Sequence, residues 1–329
     1  MNFQSSKESK VNRFSCIESD VSGLAKEHRF LVSSLRGYND STALAFTLLN
    51  ALERSRYKPE KVWIVYINTL VEPPPLLQAA QKSLTIFQGL SARLGSPIET
   101  RILTPEPKDR FWVLLIGKGY PPPSVRFRWC SDRLKIRPVK NFLRQIHQEI
   151  GEFPIILTGV REQEGSNRKK NLSKRVNSGK WMSYEGLKDC LVYAPLLHLN
   201  DAEVWDYVGY NEEKWGVDMR HLREVYSMTS GGPNGFRTGC WVCTLVKRDK
   251  SLEKLAENQH DLEPLIRFRQ SLLSIRDNMD MRARVEKNGK SYLGPLNHEA
   301  REDIYHQVKK VWRISEEEDR LIQEFWQKD

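Results

Sequence analysis

Apolar residues fall in short runs separated by amphipathic stretches, and this alternation is the first structural signal. Phe30-Leu31-Val32 forms one run; Arg36-Gly37-Tyr38-Asn39-Asp40-Ser41-Thr42 follows, then residues 43–52 carry apolar side chains at helical spacing. The pattern predicts strand, tight turn, helix. A second strand is expected over residues 62–67, and prolines 73–75 break the chain before a helix over about 76–94. Residues 98–103 and 154–158 read as third and fourth strands, with a helix over about 139–150 between them. Strands alternating with helices predict an α/β fold with a doubly wound, mainly parallel sheet, whose ligand lies beyond the carboxyl ends of the strands. Residues 201–208 read as a capped helix, residues 209–239 are rich in glycine and polar groups, and beyond Cys240 the chain reads as helical without further strand signal. The expected organisation is a loosely held arm over residues 1–25, an α/β domain over 26–215 and a helical C-terminal region over 216–329.

Composition narrows this picture modestly. A chain of 329 residues, 39% hydrophobic and with nine tryptophans, can bury a real core in one or two domains. No apolar run approaches the roughly 18 residues that cross a bilayer, and the N-terminus is polar, so a cytoplasmic protein without a membrane segment is expected. Lys and Arg total 52 against 42 Asp and Glu, a net charge of +10, which favours polyanionic partners or is simply a basic surface.

Candidate chemistry sits in three places. The turn over residues 37–42 joins a strand to a helix, where unpaired amides and the helix dipole favour an anion; an ordinary N-cap is the alternative. Cys130 is flanked by Arg128, Arg133 and Lys135, which are expected to depress its thiol pKa, unless it is an inert buried cysteine. Cys240 and Cys243 stand three apart, so both thiols can face one metal; an iron–sulfur cluster, zinc and a redox pair all remain open.

The 36–42 turn resembles the PP-loop of ATP pyrophosphatases, Ser-Gly-Gly-x-Asp-Ser, with Gly37, Asp40, Ser41 and Thr42 matching while Arg36, Tyr38 and Asn39 depart from it. A tyrosine at a glycine position is expected to strain the loop, and Asn68 stands where the family carries an acid after the second strand. The run over residues 108–136 and the Gly239-Cys240-Trp241-Val242-Cys243-Thr244 block resemble the DndC group of the PAPS-reductase-like family. Gly159, Arg161, Glu164 and Arg168 are similar to that family's Gly-x-Arg-x-x-Glu-Ser-x-x-Arg segment, with Gly165 in place of Ser.

The resemblance spans about residues 30–320 and implies a fold like the adenine nucleotide alpha hydrolases. It implies ATP, with Mg2+, at Gly37, Asp40, Ser41, Thr42, Arg161, Glu164 and Arg168, the two arginines gripping phosphate and Glu164 holding one of them. It further implies a [4Fe-4S] cluster on Cys130, Cys240 and Cys243, and catalytic roles for Asp40 and Cys130. Pro233 stands where the family has a fourth cysteine, leaving Cys190, Cys16, a non-cysteine group or an open iron. The implied activity is ATP pyrophosphatase and sulfurtransferase in phosphorothioation of the DNA backbone, within a bacterial modification and defence system. Its implied partners are DNA, a cysteine desulfurase and other phosphorothioation proteins. Two other readings are a non-catalytic binding subunit with an altered PP-loop, and a PAPS reductase; against the latter, no cysteine follows Cys243.

Overall fold

The computed structural model describes residues 2–35, 38–56, 58–164, 176–184, 186–187, 189–230 and 239–327. The chain divides into two compact units, the first made of Met1–Ile67, Pro75–Leu103 and Lys140–Val225, the second of Asn68–Pro74, Thr104–Val139 and Tyr226–Asp329. A single boundary near residue 215 is therefore replaced by a discontinuous division, because the chain leaves the first unit after its second and third strands and later returns.

The first unit holds a seven-stranded sheet of β1 (Phe30–Leu35), β2 (Lys61–Ile67), β3 (Ile98–Leu103), β4 (Ile155–Leu157), β5 (Val176–Ser178), β6 (Trp181–Ser183) and β7 (Leu191–Tyr193), in the order β3-β2-β1-β4-β7-β6-β5. β1 pairs in parallel with β2 and β4, β2 with β3, and β4 with β7; the β6–β7 and β5–β6 pairs are antiparallel. The expected mainly parallel α/β sheet is thus present, with an antiparallel edge of strands too short to stand out in the sequence.

Alternation sorts the sheet's side chains onto two faces. Leu31, Leu35, Val62, Ile64 and Tyr66 join one core cluster with helices α2 (Asn39–Arg54) and α3 (Pro74–Leu94) and the helix Asp201–Trp215. Phe30, Val32, Trp63 and Val65, also buried, occupy the alternate positions, and Trp63 meets Phe142 of the helix Arg137–Ile150 edge-on at 6.0 Å. Two buried faces explain why β1 and β2 read as continuous apolar runs.

The stretch expected as a loose arm is instead part of helix α1 (Asn2–Glu27). Phe14, Ile17, Val21 and Leu24 repeat at three- and four-residue steps and are buried in the first core. Glu18, 2% exposed among them, accepts from the side-chain amide of Asn50 at 2.6 Å and from the Tyr207 hydroxyl at 2.7 Å. With the Arg54 guanidinium 2.9 Å from its other oxygen, this buried carboxylate fixes the helix in one register.

The second unit is built on helices Lys250–Asn258, Glu263–Asp277, His298–Val311 and Glu316–Trp326 around Trp112, Trp241 and Phe268, with Trp241 also 5.2 Å from Trp312. It also contains a hairpin that the helical reading did not anticipate, β8 (Arg282–Lys287) and β9 (Lys290–Leu296). Asn288 and Gly289 join these strands at φ 53° and 69°, the left-handed pair that a two-residue hairpin turn requires. Among the described residues no helix is long and apolar enough to cross a membrane.

Candidate functional site

Strand order places a topological switch between β1 and β4, whose chain connections leave in opposite directions, and in such sheets the crevice beyond the strand ends is where ligands bind. The residues following β1 and those following β4 meet there. A Cβ on Gly159 would lie 2.9 Å from the carbonyl oxygen of Asp40 and 3.0 Å from its carbonyl carbon, so only glycine lets the two segments approach this closely. Arg161, 2% exposed, donates from Nε to Asp40 Oδ1 at 2.7 Å, from its guanidinium to the Leu199 carbonyl at 3.2 Å, and to Asp201. Burial opposes its charge, but Asp40 and Asp201 outweigh that and hold its pKa above the ordinary value.

Arg161 therefore spends donors of its fork on Asp40, Leu199 and Asp201, and it ties the first turn of α2 to the loop after β4. In the sequence Asp201 reads only as a helix-start residue, and its neighbour Asn200 forms a capping box with Glu203.

Tyr38 precedes α2 at φ −119°, an extended conformation open to any residue, so the strain expected from a tyrosine there is absent. Its carbonyl accepts from the Ser41 hydroxyl at 3.0 Å and the Thr42 amide at 3.0 Å. Thr42 is fully buried in the first turn, and its hydroxyl has no hydrogen-bond partner among the described residues. An unspent hydroxyl, a helix N-terminus and a close backbone approach are compatible with a bound phosphate. Arg36, Gly37, Gly165, Arg168 and Pro233 lie outside the described residues, as does the side chain of Glu164.

In the second unit Cys130 lies within electrostatic reach of the other two expected thiols, Cys240 and Cys243. Cys130 sits in a short helical turn, Trp129–Ser131, and burial, followed by the charge of Cys240 and of Cys243, pushes its thiol up to about 11. The expected depression by Arg128, Arg133 and Lys135 does not win. Lys135 and a hydrogen bond with Ser131 oppose the rise without outweighing it, and Arg133 is paired at 2.8 Å with Asp109, a buried carboxylate that also accepts from Arg137 at 2.9 Å. Burial raises the Cys240 thiol too, against Lys135 and a 3.3 Å contact with the Thr69 hydroxyl.

The loop after Cys240 is held from behind by its own carbonyls. Arg269 donates to the carbonyls of Cys243, at 2.8 Å, Val246 and Lys247, Arg276 to that of Thr244, and the Thr244 hydroxyl to Pro123 at 2.6 Å. Across from it, Leu70 adopts φ 64°, a left-handed conformation unusual for leucine, with its amide bonded at 2.8 Å to Asn68 Oδ1. That turn delivers Thr69 to Cys240 and the Val71 carbonyl to the Trp241 amide at 3.0 Å. Asn68, which looked like a lost acid, therefore shapes the turn that touches Cys240.

Among the described residues no group of three or more His, Cys, Asp and Glu is arranged to hold a metal. The chemistry of the donor set nevertheless suits a soft metal centre: three thiolates that repel one another are stabilised by a thiophilic cation. Cys190 is buried in the first unit, where burial raises its thiol to about 11, and Cys16 is exposed on α1.

A curated protein of Methanocaldococcus jannaschii, itself uncharacterized, is 26% identical over 140 residues, covering 42% of this chain and 24% of that protein. The chain thus spans about a quarter of the length of that relative. Solved structures similar in fold include a phosphoadenylyl-sulfate reductase from Candida auris, with 16% identity, a TM-score of 0.37, and coverage of 64% of this chain and 81% of that one. An NH3-dependent NAD synthetase from Campylobacter jejuni matches at 14% identity and TM-score 0.41, covering 80% and 93%. The U34-tRNA thiolase NcsA from Methanococcus maripaludis, solved with its [4Fe-4S] cluster, matches at 12% and 0.37, covering 79% and 80%. Residues 90–246, a span that includes Cys130, Arg161, Cys240 and Cys243, match the family model of the Phosphoadenosine phosphosulfate reductase domain.

Proposed function

We propose that the chain is a cytoplasmic, ATP-dependent sulfurtransferase of the DndC kind, acting on the DNA backbone. A non-bridging phosphate oxygen of DNA attacks the α-phosphorus of ATP and pyrophosphate leaves. Hydrosulfide, freed from a cysteine desulfurase persulfide by a thiol reductant that is oxidised to disulfide, then attacks the activated DNA phosphorus, and AMP departs with the oxygen. The observation that carries this reading is the placing of Cys130 within electrostatic reach of both Cys240 and Cys243, and of Cys240 within reach of Cys243.

The residues divide the work. The α2 N-terminus, with Ser41 and Thr42, binds phosphate through amides and dipole. Arg161 acts on the turn through Asp40. Lys135 favours the thiolate forms of Cys130 and Cys240, the forms able to carry sulfur. The three cysteines are the residues that would hold a [4Fe-4S] cluster, which supplies a Lewis-acidic iron able to bind a sulfur anion.

One observation favours a second reading, a binding subunit without catalysis: the Asp40 carboxylate is engaged by Arg161, so its role can be wholly structural. Pyrophosphate release from ATP by the anaerobically purified protein separates the two. Release that Asp40→Ala abolishes, with iron and acid-labile sulfide in the protein and phosphorothioate in product DNA, supports the enzyme. No release from the native protein supports the binding subunit.

A further inference from the structure

The second unit exposes two short segments whose composition is unlike the rest of its surface. The hairpin β8–β9 is solvent-exposed from Arg284 to Leu293 apart from Lys287, whose side chain is not described. Isolated two-stranded ribbons of this kind are marginal in water. Residues 125–128, Val-Arg-Phe-Arg, form the exposed tip of a turn closed by reciprocal backbone bonds between Ser124 and Phe127 at 3.1–3.2 Å. These two segments carry five of the ten exposed large hydrophobic residues recorded for the described chain, among them Val125 at 73%, Tyr292 at 52% and Phe127 at 46%. Such a concentration marks an interaction surface.

The segments share one anchor. The Leu296 amide at the base of the ribbon bonds to the Gly119 carbonyl at 2.6 Å, and a Cβ on Gly119 would stand 3.0 Å from Pro295. From Gly119 the chain passes through Tyr120, which packs against both Phe127 and Trp129, directly into the turn and on to Cys130. The ribbon and the turn are therefore held to one point, a short way along the chain from the thiol centre.

Their charge selects the partner. Among the described residues Arg126, Arg128, Arg284 and Lys290 have no carboxylate partner, whereas residues 282–293 contain a single acid, Glu286. Shape selects further. The four steps from Arg284 to Asn288, at about 3.4 Å each, reach roughly 13 Å, more than the ~8.5 Å depth of the B-DNA major groove, which admits a two-stranded ribbon. The deep, narrow major groove of A-form RNA does not. The ribbon also bends, with an irregular register between Arg282 and Arg284.

We propose that the β8–β9 ribbon enters the major groove of a B-form DNA duplex, with the Val125–Arg128 turn lying on the adjacent strand. This deepens the DNA reading given above and rests on it. Arg284 and Lys290 contact phosphates, and Phe127 contributes apolar contact.

The test is fluorescence anisotropy of the full chain with a 24-base-pair DNA duplex over a range of salt. Removing two phosphate contacts in the Arg284→Ser/Lys290→Ser variant lowers the salt slope by about 1.8, which corresponds to roughly 30-fold weaker binding at 0.15 M salt. The charge-preserving Arg284→Lys/Lys290→Arg variant retains slope and affinity, and Phe127→Ala weakens binding without changing the slope. Native DNA binding with an unchanged slope in the double serine variant overturns the ribbon proposal while leaving the DNA reading intact. No salt-dependent DNA binding by the native protein overturns both. Equal binding of a matched RNA duplex, or serine substitutions that impair capture of a protein or an anionic vesicle while DNA binding is unchanged, overturns the assignment of this surface to DNA.

Discussion

Replacing Arg161 by alanine tests the claim that this residue organises the junction after β1 and β4. Its guanidinium bonds to Asp40, Leu199 and Asp201, and the three legs are unequal. The Asp201 side chain is 46% exposed, so that leg contributes little after solvent screening, and the carbonyl leg is worth about 1 kcal/mol. The Asp40 side chain is only 11% exposed; removing the cation from a buried pair costs about 3–5 kcal/mol, because the carboxylate stays behind. Asp40→Ala leaves Arg161 its other two partners and is expected to cost less, about 1–3 kcal/mol. In urea, with an m-value of about 3 kcal/mol/M, the Arg161→Ala midpoint falls by roughly 1.3–2 M. Circular dichroism and tryptophan fluorescence followed together check that one transition is being read. A loss below about 1 kcal/mol for Arg161→Ala, or a larger loss for Asp40→Ala, refutes the reasoning.

Gly159→Ala places a methyl group against the Asp40 backbone, which cannot swing aside as a side chain does; about 1–3 kcal/mol of destabilisation and weakened ATP binding are expected, checked by urea unfolding and calorimetric titration. His221, bonded at 2.8 Å to the Ser83 hydroxyl, has its pKa lowered by burial and then by Lys82, against Asp218, Glu224 and Glu212. Its contribution is therefore fully present above the unfolded value near 6.5 and is lost as pH falls through the folded pKa. Urea midpoints at pH 8 and 5.5 should separate less in His221→Gln than in the native protein. Asp109→Asn removes the buried anion between Arg133 and Arg137, which are 26% and 35% exposed and keep only the exposed Asp132 as a shared partner, and about 1–3 kcal/mol is expected by the same unfolding assay.

Periodicity and short-range chemistry reach some distance into this protein. The apolar runs beginning at Phe30 and Val62 and the run near Pro154 correspond to β1, β2 and β4, because a strand buried on two faces leaves a continuous apolar mark, while the stretch over residues 98–103 corresponds to the less buried edge strand β3. The stripe Phe14, Ile17, Val21 and Leu24 was equally present but diluted by a polar, lysine-rich surround, so α1 passed for an arm. Asn288-Gly289 announced a hairpin that the charged residues around it concealed.

Residue type alone nominated Asp40, Arg161, Cys130, Cys240 and Cys243, but assigning each a role needed distances. Lysine and arginine beside Cys130 in the chain suggested a depressed thiol; tertiary packing drew Arg133 to Asp109 and surrounded the thiol with apolar atoms and two further sulfurs, reversing the sign. Arg161 reads in the sequence as a phosphate ligand, and only the fold shows that Asp40 and Asp201 accept from its guanidinium. Sequence thus determined the elements and the list of reactive groups, since local spacing and side-chain chemistry are properties of neighbours along the chain. Only the fold decided what each group faces, because burial and charge act through space between residues that lie far apart along the chain.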